Sequence, residues 1–282
     1  MVRRLVPTIL CLCIWMATPA RAEGPNVVAS IGPVHSLLSG VMQGIGTPEL
    51  LLRGGGSPHD YALKPSAARL LHKARLVFWV GPSLEGFLVR PLAGLAGKVG
   101  VIQLSVGGHD DDPHIWLDPR IAATIVGKMV AALAGVDGAN RARYEANGRA
   151  MKAMLVALDK EIHDRLKPVA VVPYLVFHDA YRYFEKRYDL ASQGAVAVHE
   201  GRAPGARRIA MLRRKIIDTN IACVFTEPQF EPALATTLIE GTGARTAVLD
   251  PLGTSLKAGP ELYPALMRGL VDQLLGCLGA NG

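Results

Sequence analysis

The stretch GANRARYEANGRAMKAMLVALDKEIHDRLKP, residues 138–168, decides how the rest of the chain is read. It holds no proline before Pro168 and one interior glycine, Gly148. Apolar residues recur at Ala150, Met154, Leu155, Leu158, Ile162 and Leu166, the spacing of one helix face. Pro168 stops it, because proline lacks the backbone donor that a further turn needs. Such a helix is roughly 40 Å long at 1.5 Å per residue, enough to bridge two lobes.

On both sides of this helix, short β-branched runs alternate with amphipathic stretches. Before it, strands are expected at Asn26–Ser30, Glu49–Leu52, Leu76–Val80 and Val99–Gln103, with helices near Val34–Met42 and Ser66–Ala74. Asp118-Pro119 marks a further helix start, a capping carboxylate followed by proline in the first turn. After it, strands are expected at Val169–Phe177, Asp189–Val198, Ala222–Thr226 and Thr246–Leu249. The helices there are Ala180–Arg187, Pro204–Asp218, Pro232–Gly241 and Pro260–Leu275. Strand and helix in alternation imply parallel sheets covered on both faces. The expected organisation is an α/β lobe over residues 23–137, a linking helix over 138–168 and a second α/β lobe over 169–282.

The first 22 residues read as a signal peptide. Arg3 and Arg4 precede an apolar run from Leu5 to Ala17, and Ala20-Arg21-Ala22 fits a small-x-small cleavage pattern, with the cut before Glu23. Thirteen apolar residues rise only about 20 Å as a helix, too short for a bilayer core of about 30 Å. Cys11 and Cys13 lie inside that run, so no lipid-anchoring cysteine follows it. With Arg3, Arg4 and Arg21 removed from the 31 basic residues, 28 remain against 24 acidic ones, a net charge of +4. That mild, scattered excess gives no basic face and no aromatic-basic interleaving, so nucleic acid is not expected as a partner. Cys223 and Cys277 remain after export. In an oxidising compartment they form a disulfide, or else stay as two buried thiols.

Three histidines fall where strands pass into loops: His59 in Gly54–Tyr61, His114 in Asp110–Pro119, and His178 directly after Tyr174–Phe177. Asp250 follows the run Thr246–Leu249. The carboxyl ends of parallel strands face the ligand crevice, so four such side chains can converge. Each alone is more simply a loop or capping residue, and none has the short spacing of HExxH or CxxC. Together, three imidazoles and a carboxylate suit tetrahedral Zn²⁺, whereas Mn²⁺ and Mg²⁺ favour more oxygen ligands. Four protein ligands would leave no position for an activated water, and with no GxSxG or HExxH motif an enzyme is not expected. The rival from that class is an exported zinc hydrolase using three histidines with Asp250 as base.

Five motifs in order resemble one family: Ser57-Pro58-His59-Asp60-Tyr61 with Lys64-Pro65-Ser66, Asp112–Pro119, Phe177–Phe184, Phe225–Phe230 and Leu249–Gly253. They are similar to those of the zinc-uptake binding proteins of the ZnuA type, the metal-specific solute-binding components of ABC importers. The resemblance runs through the whole mature chain. It implies two (β/α)₄-like lobes with parallel sheets, one long rigid helix between them and the metal in the crevice between the lobes. It implies Zn²⁺ as the transported ligand, a periplasmic location, a membrane permease and an ATPase as partners, and action as a monomer. By motif position it makes His59, His114, His178 and Asp250 the ligands. His178, in place of the glutamate of manganese-binding relatives, favours zinc over manganese or iron, the same-family alternative. It also places Cys223 and Cys277 where zinc-binding relatives have a disulfide. An adhesin role of the kind some relatives have is a further alternative.

The remaining polar residues receive lesser roles. Asp60 and Asp179 are expected to orient the neighbouring imidazoles as hydrogen-bond acceptors. Glu227 is expected to line the crevice without binding metal, as a further candidate for supporting the ligands from behind. Where many family members have a long His- and Asp-rich loop, this chain has only His109, Asp110, Asp111 and Asp112, read as an auxiliary weak site or, more simply, as a solvated acidic loop. His35 is expected to cap or pack the first helix, His72 and His163 to lie on helix surfaces, and His199 with Glu200 to sit in a loop.

Overall fold

The computed structural model describes residues 24–105, 112–197, 204–230 and 233–279. The expected signal peptide and its cut, His109, Asp110 and Asp111 of the acidic loop, and His199 with Glu200 lie outside the described residues. The first sheet contains β1 (Val27–Ala29), β2 (Glu49–Leu50), β3 (Leu76–Trp79) and β4 (Gly100–Gln103), in the order β2-β1-β3-β4. The second contains β5 (Tyr174–Val176), β6 (Ser192–Ala195), β7 (Cys223–Thr226) and β8 (Arg245–Val248), in the order β6-β5-β7-β8. Every strand pair is parallel, with Val28 opposite Val77 and Leu175 opposite Val224 at the sheet centres. The two lobes therefore repeat one topology. In each, the second strand of the sequence lies outside the first, so the order reverses beside the first strand and leaves a crevice at the carboxyl ends.

The helices are α1 (Gly32–Val41), α2 (Pro65–Lys73), α3 (Val89–Ala93), α4 (Pro119–Val136), α5 (Arg141–Leu166), α6 (Arg182–Tyr188), α7 (Ala206–Asp218), α8 (Ala233–Ile239) and α9 (Leu262–Leu278). The stretch at 138–168 opens with a 3-10 turn over Gly138–Asn140 and continues as α5, 26 residues long. Its apolar stripe, Leu155, Leu158, Ile162 and Leu166, is buried. Asp118 caps α4 by accepting the Arg120 N–H at 2.7 Å, an interaction typically worth about 1 kcal/mol. α4 is long and apolar enough to cross a membrane by length and composition, but its Ile125, Val126, Met129 and Leu133 are buried in the protein core. Gly148 lets α5 approach α4: a Cβ there would stand 2.5 Å from Val130 Cγ2.

Two expected strands are shorter than their β-branched runs suggest. Val169–Phe177 forms a strand only over Tyr174–Val176, because Pro168 continues the chain in a 3-10 turn over Lys167–Val169. Pro173 then delays the strand, and Val171 is left exposed. Asp189–Val198 is cut to Ser192–Ala195, since Asp189 takes a left-handed conformation at the end of α6 and the register shifts between Tyr174 and Val176. The short helix α3 carries no recognisable start signal and was not expected.

One core joins the lobes. Val27, Phe78 and Leu37 of the first lobe pack in the same buried cluster as Tyr174, Phe225 and Leu270 of the second. α1 packs on both α5 and α9. Hydrogen bonds cross the seam: Trp116 Nε1 donates to the Pro251 carbonyl at 2.8 Å, and Tyr263 Oη donates to the Trp116 carbonyl at 2.7 Å. Ser36 Oγ donates to the Pro260 carbonyl and accepts from the Tyr263 N–H, each at 2.9 Å. Cys223 in β7 and Cys277 in α9 form a disulfide across 54 positions of sequence.

Candidate metal centre

The site lies where the carboxyl ends of both sheets face each other. Behind β2, the segment Gly54–Gly56, exposed and open at each glycine, carries the chain to Pro58 and His59. Behind β4, His114 opens a 3-10 turn over Ile115–Leu117 whose hydrophobic side chains are buried. Behind β5, His178 follows the buried Phe177 directly. Phe177 and Trp116 are thus the apolar plugs that fix two of the histidines, and the Trp116 ring stands 5.3 Å from that of His114.

His59, His114 and His178 come together, with one ring nitrogen from each inside a mutual distance of 4.8 Å. His114 and His178 are buried, at 5% and 7% exposure. Their Nε2 atoms are 3.3 Å apart. In a tetrahedron with metal–nitrogen bonds of about 2.0–2.1 Å, neighbouring nitrogens are about 3.3–3.4 Å apart, so this spacing fits zinc. Two adjacent nitrogens without a proton between them repel, and a cation removes that repulsion.

Each of these two rings is held from behind by a carboxylate. Glu227 Oε1 lies 2.7 Å from His178 Nδ1, and Asp112 Oδ1 lies 2.7 Å from His114 Nδ1. A carboxylate only accepts, so both Nδ1 atoms carry the proton and both Nε2 lone pairs point at the site. Asp112 Oδ1 also accepts the His114 backbone N–H at 3.0 Å, which fixes the loop as well as the ring. Glu227 is 3% exposed and stands at the end of β7. Next to it, Tyr181 is fully buried and its phenol pKa is pushed far up by burial, then by the charges of Glu227 and Asp250. Its hydroxyl therefore stays protonated and donates to the Leu249 carbonyl at 3.3 Å.

The structure does not bring Asp250 into the histidine group. Both of its oxygens serve its own turn: Oδ1 accepts from the N–H groups of Leu252 and Gly253 at 3.1 and 2.9 Å. Oδ2 accepts from the Thr254 N–H at 2.6 Å and its hydroxyl at 2.8 Å. Gly253 has φ of +66°, which permits this turn, and Pro251 and Leu252 form one wall of the metal cavity. For His178 the acceptor role falls elsewhere than on its neighbour in sequence. Asp60 is exposed, and Asp179 pairs with Arg182 Nε at 2.7 Å on the surface. His59 and His178 both stand in bends rather than in strand, where the next residue in sequence has no fixed side relative to the ring. Asp112 does this work two residues before His114, and Glu227 does it from another strand 49 positions away.

The other histidines among the described residues stay apart from the site. His35 is buried, its Nε2 lies 3.0 Å from the Pro48 carbonyl, and burial holds its pKa below the usual value. His72 and His163 are exposed on α2 and α5.

Two α/β lobes with strand ends closing on three imidazoles define a bilobal metal-binding fold. Residues 27–277 match the family described as "Zinc-uptake complex component A periplasmic". The high-affinity zinc uptake system protein ZnuA of Brucella abortus is 39% identical, covering 91% of this chain and 92% of that protein. The protein of the same name from Yersinia pestis is 33% identical over 97% and 98% of the two chains. Among solved structures, one described as a crystal structure of ZnuA superposes with a TM-score of 0.82 at 24% identity, covering 91% of this chain and all of that one. The laminin-binding protein Lmb of Streptococcus agalactiae, described as an adhesin with metal-transporting activity, has the same fold, with a TM-score of 0.77 at 23% identity over 89% of this chain and all of that one. The chain belongs to the periplasmic zinc-uptake component family.

Proposed function

We propose that this protein captures Zn²⁺ in the periplasm and is the solute-binding component of a zinc-importing ABC transporter. The membership of the zinc-uptake family supports this. The observation that carries the reading is the trio His59, His114 and His178, with two Nε2 atoms at tetrahedral spacing and a carboxylate behind each. All three nitrogens are donors of the kind zinc takes, while an oxygen-rich set for manganese is not built here. In this reading the three imidazoles hold the ion and Asp250 holds the turn that walls it. The Asp250 carboxylate becomes a fourth ligand only by giving up the four hydrogen bonds of that turn.

The permease and ATPase of the importer are the proposed partners, the chain acts as a monomer, and no catalysed reaction is assigned to it. The mature protein is proposed to begin at Glu23, after cleavage behind Ala22, with the lobe boundaries at 137 and 168 read from the sequence. Because the lobes share a core and the bonds across their seam, release depends on local rearrangement at the docked permease rather than on wide opening. Binding requires neutral imidazoles, so affinity falls on acidification.

Zinc titration of chelator-stripped protein tests the reading. One tightly held zinc per chain is expected, weakened at least tenfold in His59→Ala and His178→Ala. An unchanged dissociation constant in both variants would sink the site. Preferential manganese or iron would overturn the specificity and leave the fold and transport role in place.

A further inference from the structure

Gln229 borders the three imidazoles, and nothing in the zinc-capture reading uses it. It sits in the turn that follows β7, closed by the Phe230 N–H donating to the Glu227 carbonyl at 3.1 Å. Both flanks of that turn are fixed. Glu227 is bound to His178 Nδ1, and the Phe230 ring packs on Phe177 with 4.6 Å between centroids and stands 5.9 Å from His178. Gln229 is thereby held against the cavity that His59, His114 and His178 line. Its Oε1 has no solvent contact, and among the described residues no protein group donates to it. Buried amide oxygens in folded proteins almost always have a donor, and one that lacks it calls for an explanation at the site.

The cavity supplies one. Its free space is about 10 Å³, room for roughly one sphere of that size, which the ion takes, so a further ligand stands on the cavity's open side. Three imidazoles meet three of zinc's four positions, and the Asp250 oxygens are committed to their own turn. The fourth position then falls to water, which a bound cation turns into a strong hydrogen-bond donor. We propose that Gln229 Oε1 accepts a hydrogen bond from the water that completes the metal's coordination, so that Gln229 is a positioning and specificity residue of the site. This rests on the zinc-capture reading. The amide is neutral, so it holds the water without adding a negative oxygen ligand that would draw in manganese.

The test uses the full mature protein and three variants: Gln229→Leu, which has no acceptor, Gln229→Glu, which restores an oxygen, and His178→Ala. Zinc affinity is read by chelator competition, coordination by the visible spectrum of the Co²⁺-loaded protein, and fold by melting of the metal-free form. Gln229→Leu is expected to bind zinc about tenfold more weakly and to alter the cobalt spectrum. Its metal-free form should melt at or above the wild-type temperature, because a buried acceptor without a donor has been removed. Gln229→Glu should recover zinc binding and gain Mn²⁺ affinity. An unchanged cobalt spectrum and zinc affinity in Gln229→Leu would overturn the proposal, as would a lowered metal-free melting temperature with the spectrum intact, the mark of a packing role. If wild type binds zinc and His178→Ala loses it, either result counts against Gln229 alone. If wild type binds none, the zinc-capture reading falls first.

Discussion

Glu85 permits a stability prediction with a worked magnitude. Its carboxyl is fully buried just beyond β3, where it accepts from the N–H groups of Val80 at 3.2 Å and Gly81 at 2.9 Å. Burial raises its pKa from 4.5 to about 7, although the peptide N–H groups pull the other way. The native protein therefore keeps a proton that the unfolded chain releases between those two values. Stability contributed by this group is present below pH 4.5 and is lost as pH rises towards 7. At 1.36 kcal/mol per pH unit the full loss is about 3 kcal/mol. Glu85→Gln cannot ionise and keeps one acceptor for the two donors. Relative to wild type, the variant should gain about 2–3 kcal/mol between pH 5 and pH 8, measured by urea unfolding of the metal-free protein. His35, buried with a lowered pKa, acts in the opposite sense: its contribution is lost as pH falls below about 6.5. It is common to both proteins and cancels in the difference. Parallel stability–pH curves for wild type and variant would refute the reasoning.

Three further outcomes are expected. Reducing the Cys223–Cys277 bond, or replacing both cysteines by alanine, should cost about 4 kcal/mol on the chain-entropy account for a loop closed across 54 positions, read from denaturant unfolding. Gly148→Ala drives a methyl against the stiff Val130 side chain at the α4–α5 contact. It should lower stability by about 1–3 kcal/mol in a thermal melt, with metal affinity unchanged. Glu227→Gln leaves an acceptor for His178 Nδ1 but removes the charge that makes the ring a better ligand, so zinc affinity should fall about 10- to 100-fold in a competition titration.

The sequence displayed the fold through periodicity and punctuation. The stripe from Ala150 to Leu166 and the stop at Pro168 marked α5, and Asp118-Pro119 marked the start of α4. Strand lengths were less legible, because Val169–Val172 is as β-branched as a strand yet lies between two prolines that keep it out of the sheet. At the site, His59, His114 and His178 were visible because each follows a strand. Of their supporting carboxylates, Glu227 was expected at the crevice but its bond to His178 was not, since it is made across neighbouring strands in a register that only the folded sheet supplies. Asp250 carried the same strand-end signal as the histidines. Nothing in its composition revealed that Leu252, Gly253 and Thr254 would turn back onto both of its oxygens. Gln229 left a faint trace, as a polar residue between Pro228 and Phe230 in a loop after a strand.

The shared core has a consequence for how such a chain can be recombined. α1, α5 and α9 each contribute side chains to a single interior that reaches from Val27 to Leu278. A hybrid that joined the front half of one relative to the back half of another could retain every cleft residue and still present mismatched shapes along these three helices. The outer layer of the second lobe is different, because Leu212 and Ile216 of α7 and Leu238 of α8 pack with Leu175 and Val224 in a cluster of their own. The exchangeable cassette in this architecture is therefore that outer layer, and the two lobes around the shared core must be kept together.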